Sequence, residues 1–329
     1  MKKILALALA AAMSLTLVAC GGSKTPAASG SASSGGSSSA ETVDFPGNKQ
    51  VSLIVPYSAG GASDTVARIY ASELEQSLGT SIVVSNVTGA SGAIGLEQVR
   101  NSNPDGYTIA YMPVESTMLK ALGFTDLSTD DFRFIGRAMT IPAAVTVRAD
   151  APWDTFEDFV NYAKEHPGEI QVGNSGTGSI WHIAAASIEK ECGVQFTHVP
   201  FDGAAPAVAA LLGGNIQAVT VSPSEVKNNV DSGDFKVLCV LGESRSSVVP
   251  DVPTAQELGI DITIQGWGGF AVPKDTPQAV IDILEKASET AINSDSVKKT
   301  LADRGYDMDQ KASEELAYYS ELIPELGIA

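Results

Sequence analysis

The chain has 329 residues, with 21 Lys and Arg against 39 Asp and Glu and a formal net charge of −18 at pH 7. That surplus of acid argues against nucleic acid and anionic lipid surfaces as partners, because both are polyanions. The length suits two domains of ordinary size, and 3 cysteines spread over it are no disulfide framework.

The chain opens with Lys2-Lys3, an apolar run from Ile4 to Ala19, and then Cys20 followed by Gly21-Gly22. The run has the length of a signal-peptide core and is short for a spanning helix, which needs about 20 apolar residues. Its end, Leu17-Val18-Ala19-Cys20, resembles the bacterial lipobox, against which stands an ordinary signal peptide with an incidental cysteine. Residues 1–19 are therefore expected to be a lipoprotein signal peptide, with Cys20 lipidated as the first residue of the mature chain. Residues 20–44 are almost all Gly, Ser, Ala, Thr and Pro. Such a segment cannot bury enough surface to offset its ordering entropy, so a tether with an r.m.s. span of about 25 Å is expected. The folded part should then sit outside the cytoplasm, anchored to the outer face of the cell membrane or its periplasmic side. Removing residues 1–19 takes away two lysines and leaves 19 basic residues against 39 acidic ones, a charge of −20.

After the tether, short apolar runs alternate with amphipathic stretches, the α/β pattern. Val51–Val55 reads as a strand. Ser63–Leu78 reads as a helix with Val66, Ile69, Tyr70, Leu74 and Leu78 on one face and Gly79 as its stop. Ile82–Val87 is the next strand, followed by a turn over Gly89–Gly92 and another helix. The stretch 134–150 is extended and apolar, suited to crossing from one lobe to another. Ile170–Gly173 reads as a strand, "NSGTGS" (174–179) as a loop, and Ser179–Glu191 as a helix stopped by Gly193. Phe196–Pro200 is a strand, "FDGAAP" (201–206) a loop, and Ala207–Leu212 a helix ending in Gly213-Gly214. The stretch 261–277 follows the return to the first lobe and carries its final strand. Helices are expected over Pro277–Asn293, Ser296–Arg304 and Ser313–Leu322.

Both halves thus run strand, Gly/Ser loop, helix, Gly stop, strand, Gly loop, helix. Two similar α/β lobes with a cleft between them follow. In parallel sheets ligands bind at the carboxyl ends of the strands, where helices begin. A helix start offers free N–H groups and roughly half a positive charge, so such a cleft can grip an anion without a basic side chain. The loop "YSAGG" contains no Lys or Arg; its Asp64 is placed to cap the helix or hold a water. Each Gly-rich loop is also an ordinary α/β turn when taken alone. A P-loop reading fails for want of GxxxxGK[ST], and a dinucleotide-binding reading for want of GxGxxG with an acid downstream. Serine hydrolysis needs weighing, since Ser175 and Ser179 lie near His182, but GxSxG is absent. His166, His182 and His198 stand apart from carboxylate-rich clusters, so neither a metal nor another cofactor is expected. Cys192 and Cys239 are expected as free thiols rather than a bridge.

"VPYSAGGASDTVAR", "VSNVTGASGAIG", "PDGYTIAY", "SGTGSIWH", "HVPFDGAAPAVAALLGGNIQA", "VPDVPTAQELG" and "WGGFAVPKDTP" follow one another in this chain. In this order and spacing they resemble the extracytoplasmic solute receptors of tripartite tricarboxylate transporters, also called Bug receptors, over residues 45 to 325. The resemblance implies a two-lobed Venus-flytrap fold, of the type II periplasmic-binding-protein kind, that closes on a small carboxylate-bearing ligand. The division it suggests is 45–142 plus 244–329 for one lobe and 143–243 for the other. Carried over position by position, the ligand loops are Tyr57, Ser58, Ala59, Gly60, Gly61 and Asp64; Ser175, Gly176, Thr177, Gly178, Ser179 and His182; and Phe201, Asp202, Gly203 and Ala204, with Ser222-Pro223 as a further contribution. Implied partners are a small organic acid or amino-acid-like ligand and integral membrane permease subunits, with the receptor acting as a monomer and not as an enzyme. The alternative is a ligand-sensing lipoprotein that presents its bound state to a signalling partner. The chain departs from the family at Asp202, where a basic form is frequent, and at Thr88, where proline is. Glu115-Ser116 stand where small polar residues are usual. An acid facing the cleft would disfavour a citrate-like trianion and suit a ligand with a donor group.

Overall fold

The computed structural model describes residues 43–306, 322, 326 and 327. Cys20 and most of the expected helix over Ser313–Leu322 lie outside the described residues.

β1 (Val51–Val55), α1 (Ala62–Leu78), β2 (Ile82–Asn86), α2 (Ala93–Arg100), β3 (Thr108–Pro113) and β4 (Phe132–Pro142) open the described chain. β5 (Ala144–Arg148), α3 (Phe156–Glu165), β6 (Gln171–Asn174), α4 (Ile180–Cys192), β7 (Thr197–Pro200) and α5 (Ala204–Leu212) follow. β8 (Ala218–Val221), α6 (Pro223–Asp231), β9 (Phe235–Val240), β10 (Gln265–Pro273), α7 (Gln278–Asn293) and α8 (Asp295–Asp303) complete it. The strands form two sheets, β2-β1-β3-β10-β4 and β7-β6-β8-β5-β9. In the first, β1 is parallel to β2 and β3 while β10 runs antiparallel to β3 and β4. In the second, β6 is parallel to β7 and β8 while β5 runs antiparallel to β8 and β9.

Local chemistry explains the elements that lead to the cleft. β1 is an almost uniformly apolar run buried on both faces, as a central parallel strand must be. α1 buries Val66, Ala67, Tyr70, Ala71 and Leu74 and stops where Gly79 turns left-handed and its N–H reaches the Glu75 carbonyl. α3 starts on a capping box in which Thr155 and Asp158 exchange hydrogen bonds with each other's backbone. α5 begins at Ala204, three residues before the expected Ala207. Pro206 falls in its first turn, where a missing N–H costs nothing.

The stretch over 134–150 crosses from one sheet to the other as expected, and does so as two strands. β4 ends at Pro142 in the first sheet and β5 begins at Ala144 in the second. Between them Ala143 donates its N–H to the Ile264 carbonyl at 2.9 Å, Ile264 donates to Leu241 at 2.8 Å, and Leu241 donates back to Ala143 at 2.7 Å. This ring of three buried backbone bonds ties the two passages between the sheets. The return falls at Ile264–Gln265 rather than at residue 244, because Val240 pairs with Pro253–Ala255 and keeps that segment on the second sheet. Cys192 and Cys239 are separate free thiols, the second buried. Among the described residues no helix is long and apolar enough to cross a membrane.

Candidate functional site

The loop after β1 is folded by its own acid. Asp64, in the first turn of α1 and 4% exposed, accepts the Gly60 N–H at 2.9 Å. It also binds Arg68 and the Asn86 amide. Burial pushes the Asp64 carboxyl up, but Arg68, the Gly60 amide and Asn86 together outweigh it and hold the group below its usual range. Asp64 thus spends its carboxylate on forming the loop. Tyr57, buried just before it, donates its hydroxyl to the Ser91 carbonyl at 3.0 Å. Ala90 and Ser91 hold positive φ of 47° and 49° between two left-handed glycines, the sort of backbone strain that gathers at binding sites.

The loop after β6 is likewise held from within. Gly176 donates to Asn174 Oδ1 at 3.0 Å and Gly178, at φ 76°, donates to His182 Nδ1 at 2.9 Å. Ser179 caps α4, its hydroxyl accepting the His182 N–H at 3.2 Å. Burial, with His198 stacked edge-on at 4.5 Å, pushes the His182 imidazole down to about 4. Its Nδ1 is engaged by a backbone donor and the Ser179 hydroxyl by another, so no nucleophile–base pair exists between them. In the third loop Asp202 is exposed and borders the groove, and its backbone carbonyl accepts the Ser58 N–H. Gly203, at φ 147°, lies so close to Ser58 that a Cβ would run into the serine hydroxyl.

These loops meet across one closed cleft. Ser58 donates its N–H to the Asp202 carbonyl at 3.0 Å, and the Ser91 hydroxyl donates to the Thr177 carbonyl at 2.5 Å. Two carboxylates then cross in opposite directions. Glu115, 2% exposed in the turn after β3, accepts the Ile180 N–H at the start of α4 at 2.9 Å. Glu225, in the first turn of α6, accepts the Ala62 N–H at the start of α1 at 3.0 Å. It also caps α6 by accepting from Ser222. Each acid therefore occupies a helix start of the other lobe. Burial raises the carboxyl of both, and at Glu115 the nearby Glu225 adds to the rise.

Behind the crossing lies a cavity of about 40 Å³, walled by Tyr57, Ser58, Glu115, Ser175, Glu225 and Trp267 among others. Outside it opens a groove of about 760 Å³, bordered by Tyr57, Ser58, Gly89–Gly92, Ser175–Thr177 and Phe201–Asp202. Neither lining includes a Lys or Arg. Of the residues expected at the site, Tyr57, Ser58, Gly61, Ser175, Gly176, Thr177, Phe201, Asp202 and Ala204 line these spaces. Ala59, Gly60, Asp64, Gly178, Ser179, His182 and Gly203 do not, and several of them brace the loops instead. Sequence reasoning missed Glu225 and Trp267. "SPSE" (222–225) is a legible capping box, but nothing local shows which opposite helix its acid reaches. Among the described residues no group of three or more His, Cys, Asp or Glu is placed to hold a metal.

Comparison with known proteins agrees with this architecture. Residues 66–322 match the family model described as the tripartite tricarboxylate transporter family receptor. A relative from Agrobacterium vitis, described as a UPF0065 protein in the TAR-I ttuE-ttuC' intergenic region, is 30% identical over 303 residues, 88% of this chain and 87% of its own. The structure of the periplasmic binding protein BugD is 28% identical with a TM-score of 0.81, covering 86% of this chain and 99% of that one. MatC from Rhodopseudomonas palustris, solved with bound malate, is 27% identical with a TM-score of 0.76, covering 86% of this chain and 97% of that one. With that match over most of its length and a two-lobed fold shared with solved members, the chain belongs to the tripartite tricarboxylate transporter receptor family, as an extracytoplasmic solute-binding protein rather than an enzyme.

Proposed function

We propose that this receptor captures a small carboxylate-bearing metabolite in the cleft and hands it to the integral membrane subunits of a tripartite transporter, while a lipid on Cys20 keeps it at the membrane. The observation that carries the reading is that the loops after β1, β6 and β7 border one cleft whose lining has hydroxyls and loop backbone but no Lys or Arg. Backbone amides and hydroxyls are the donors such a space offers an anion. The Ser58 hydroxyl is buried in it without a partner. MatC, with its malate, shares the fold. Tyr57, Ser58, Ser175, Gly176 and Thr177 are the proposed contacts, with the Asp64 and His182 clusters holding their loops in shape. Mass spectrometry of the small molecule that co-purifies, backed by a thermal-shift screen of carboxylic acids, tests this. A co-purifying carboxylate that raises Tm is expected; a ligand without any carboxylate would overturn it.

A further inference from the structure

We propose that the ligand also carries a protonated amine, seated in the inner cavity against Glu115 and Glu225, so that the receptor selects amino acids over the plain acids of the same skeleton. The proposal rests on the solute-receptor reading above and names the ligand class for the same cleft.

The helix starts of α1 and α4, the natural seats for a ligand carboxylate, are already filled by the chain's own Glu225 and Glu115. A second anion would have to displace them or lie beside two carboxylates in a space with no basic side chain in its lining. The two acids meet uncharged donors: the amides of Ile180, Ala62 and Ser222, and the hydroxyls of Ser222 and Tyr57. Buried carboxylates without a cation are costly, and a ligand ammonium supplies the missing charge. Size agrees, because about 40 Å³ holds a group as large as one or two waters, such as –NH₃⁺.

A separate observation points to an occupant with both signs. Trp267, 5% exposed, lines this cavity with its indole N–H buried and unpartnered, and the Ser58 hydroxyl is unpartnered too. Indole N–H can only donate. The cavity therefore presents two acids that call for donors beside two polar groups free to donate to an oxygen. An ammonium next to a carboxylate satisfies both. Ser58 and Ser175 border both the cavity and the outer groove, so the carboxylate would lie at that shared wall and the side chain would extend outward.

The test is titration calorimetry of the full-length protein against matched pairs that differ by one amino group: alanine and propionate, aspartate and succinate, glutamate and glutarate. Putrescine serves as an amine without a carboxylate. At least one amino acid should bind about tenfold or more tighter than its partner, the span expected for hydrogen bonds to charged groups. Glu115→Gln and Glu225→Gln should shrink that ratio. Should either variant fail to fold, the wild-type ratios decide alone. Plain acids binding as tightly as amino acids would overturn the amine and leave the receptor reading intact. An amino-acid preference untouched by both substitutions would overturn the assignment to these acids. Putrescine binding without any carboxylate would support the acidic seat and sink the carboxylate reading. Failure of every pair and of putrescine would sink both.

Discussion

At the residue scale, His182 shows how a residue that looks catalytic becomes a brace. Its Nδ1 accepts the Gly178 N–H, so protonation would set a donor against a donor inside the fold. With the imidazole pushed down to about 4 by burial, against about 6.5 in an unfolded chain, the unfolded state takes up a proton that the fold refuses. Stability from this group is therefore full above pH 6.5 and is lost as pH falls toward 4, by about 3 kcal/mol at most. Urea midpoints of the wild type and His182→Gln between pH 4 and 7.5 check this, the variant losing less on acidification. Glu115 works in the opposite sense. Burial raises its carboxyl, so its contribution is present below its unfolded pKa and declines as pH rises through the raised value. Glu115→Gln should accordingly stabilise the unliganded protein at pH 8 more than at pH 4.5. Gly178 matters for shape rather than for its amide, which His182 already holds. A Cβ there would meet Leu122 Cδ1 at 2.8 Å and Phe124 Cε2 at 3.1 Å, at a φ of 76° that side chains avoid. Gly178→Val should cost on the order of 2 kcal/mol in stability from strain, and more in binding, because the intruding side chain holds the second-sheet loop off the first-sheet turn. Calorimetry and denaturation of the same variant separate the two losses.

At the element scale, the helix starts do two jobs. Glu225 closes a capping box on α6 and at the same time satisfies the first amide of α1. Glu225→Ala should remove both and cost about 2 kcal/mol, as a lost cap and a lost charge-assisted bond each cost about 1 or more. Glu225→Gln, which keeps an acceptor, should cost less, and amide exchange should show the loss concentrated in the first turns of α6 and α1. The capping box was legible from Ser222 and Glu225, because caps are written within four residues. The bond to Ala62 was not, because 163 residues separate the partners. The same division runs through the fold. β1, α1, β6 and α4 could be read from apolar periodicity and from glycine stops such as Gly79 and Gly193. The break at Ala143 could not, since Phe134 to Ala149 is equally apolar on both sides and only pairing to different partners splits β4 from β5. The return at Ile264 rather than residue 244 was hidden for the same reason, and so was the commitment of the loop amides. Gly60, Gly176 and Gly178 suggest open donors in the sequence, yet side chains two to four residues away already accept from them.

At the scale of the whole molecule, the lobes are joined by narrow passages and by a few polar bonds across the cleft. The bonds from Ser58, Ser91, Ala62 and Ile180 each link groups anchored on different sheets. Individually such bonds contribute about 1 kcal/mol, and water in an opened cleft would replace them at little cost. Closure of the empty receptor is therefore only weakly favoured, whereas a ligand that touches both lobes binds the closed form alone and shifts the population toward it. Two outcomes follow. A ligand at 100 times its dissociation constant should stabilise the fold by about 2.7 kcal/mol, a Tm rise of about 4–5 °C for a protein of this size. Small-angle scattering should show a smaller radius of gyration on binding, with rotation about the bonds among Ala143, Leu241 and Ile264. The radius should change in the wild type and in Cys20→Ser alike, because the hinge owes nothing to the anchor. Detergent partitioning should separate those two proteins, Cys20→Ser leaving the detergent phase if the lipid is attached there. Clear binding with an unchanged radius would mean that the ligand enters a cleft already closed, through the groove between Gly89–Gly92 and Phe201–Asp202, and that the passages at Ala143 and Ile264 do not act as a hinge.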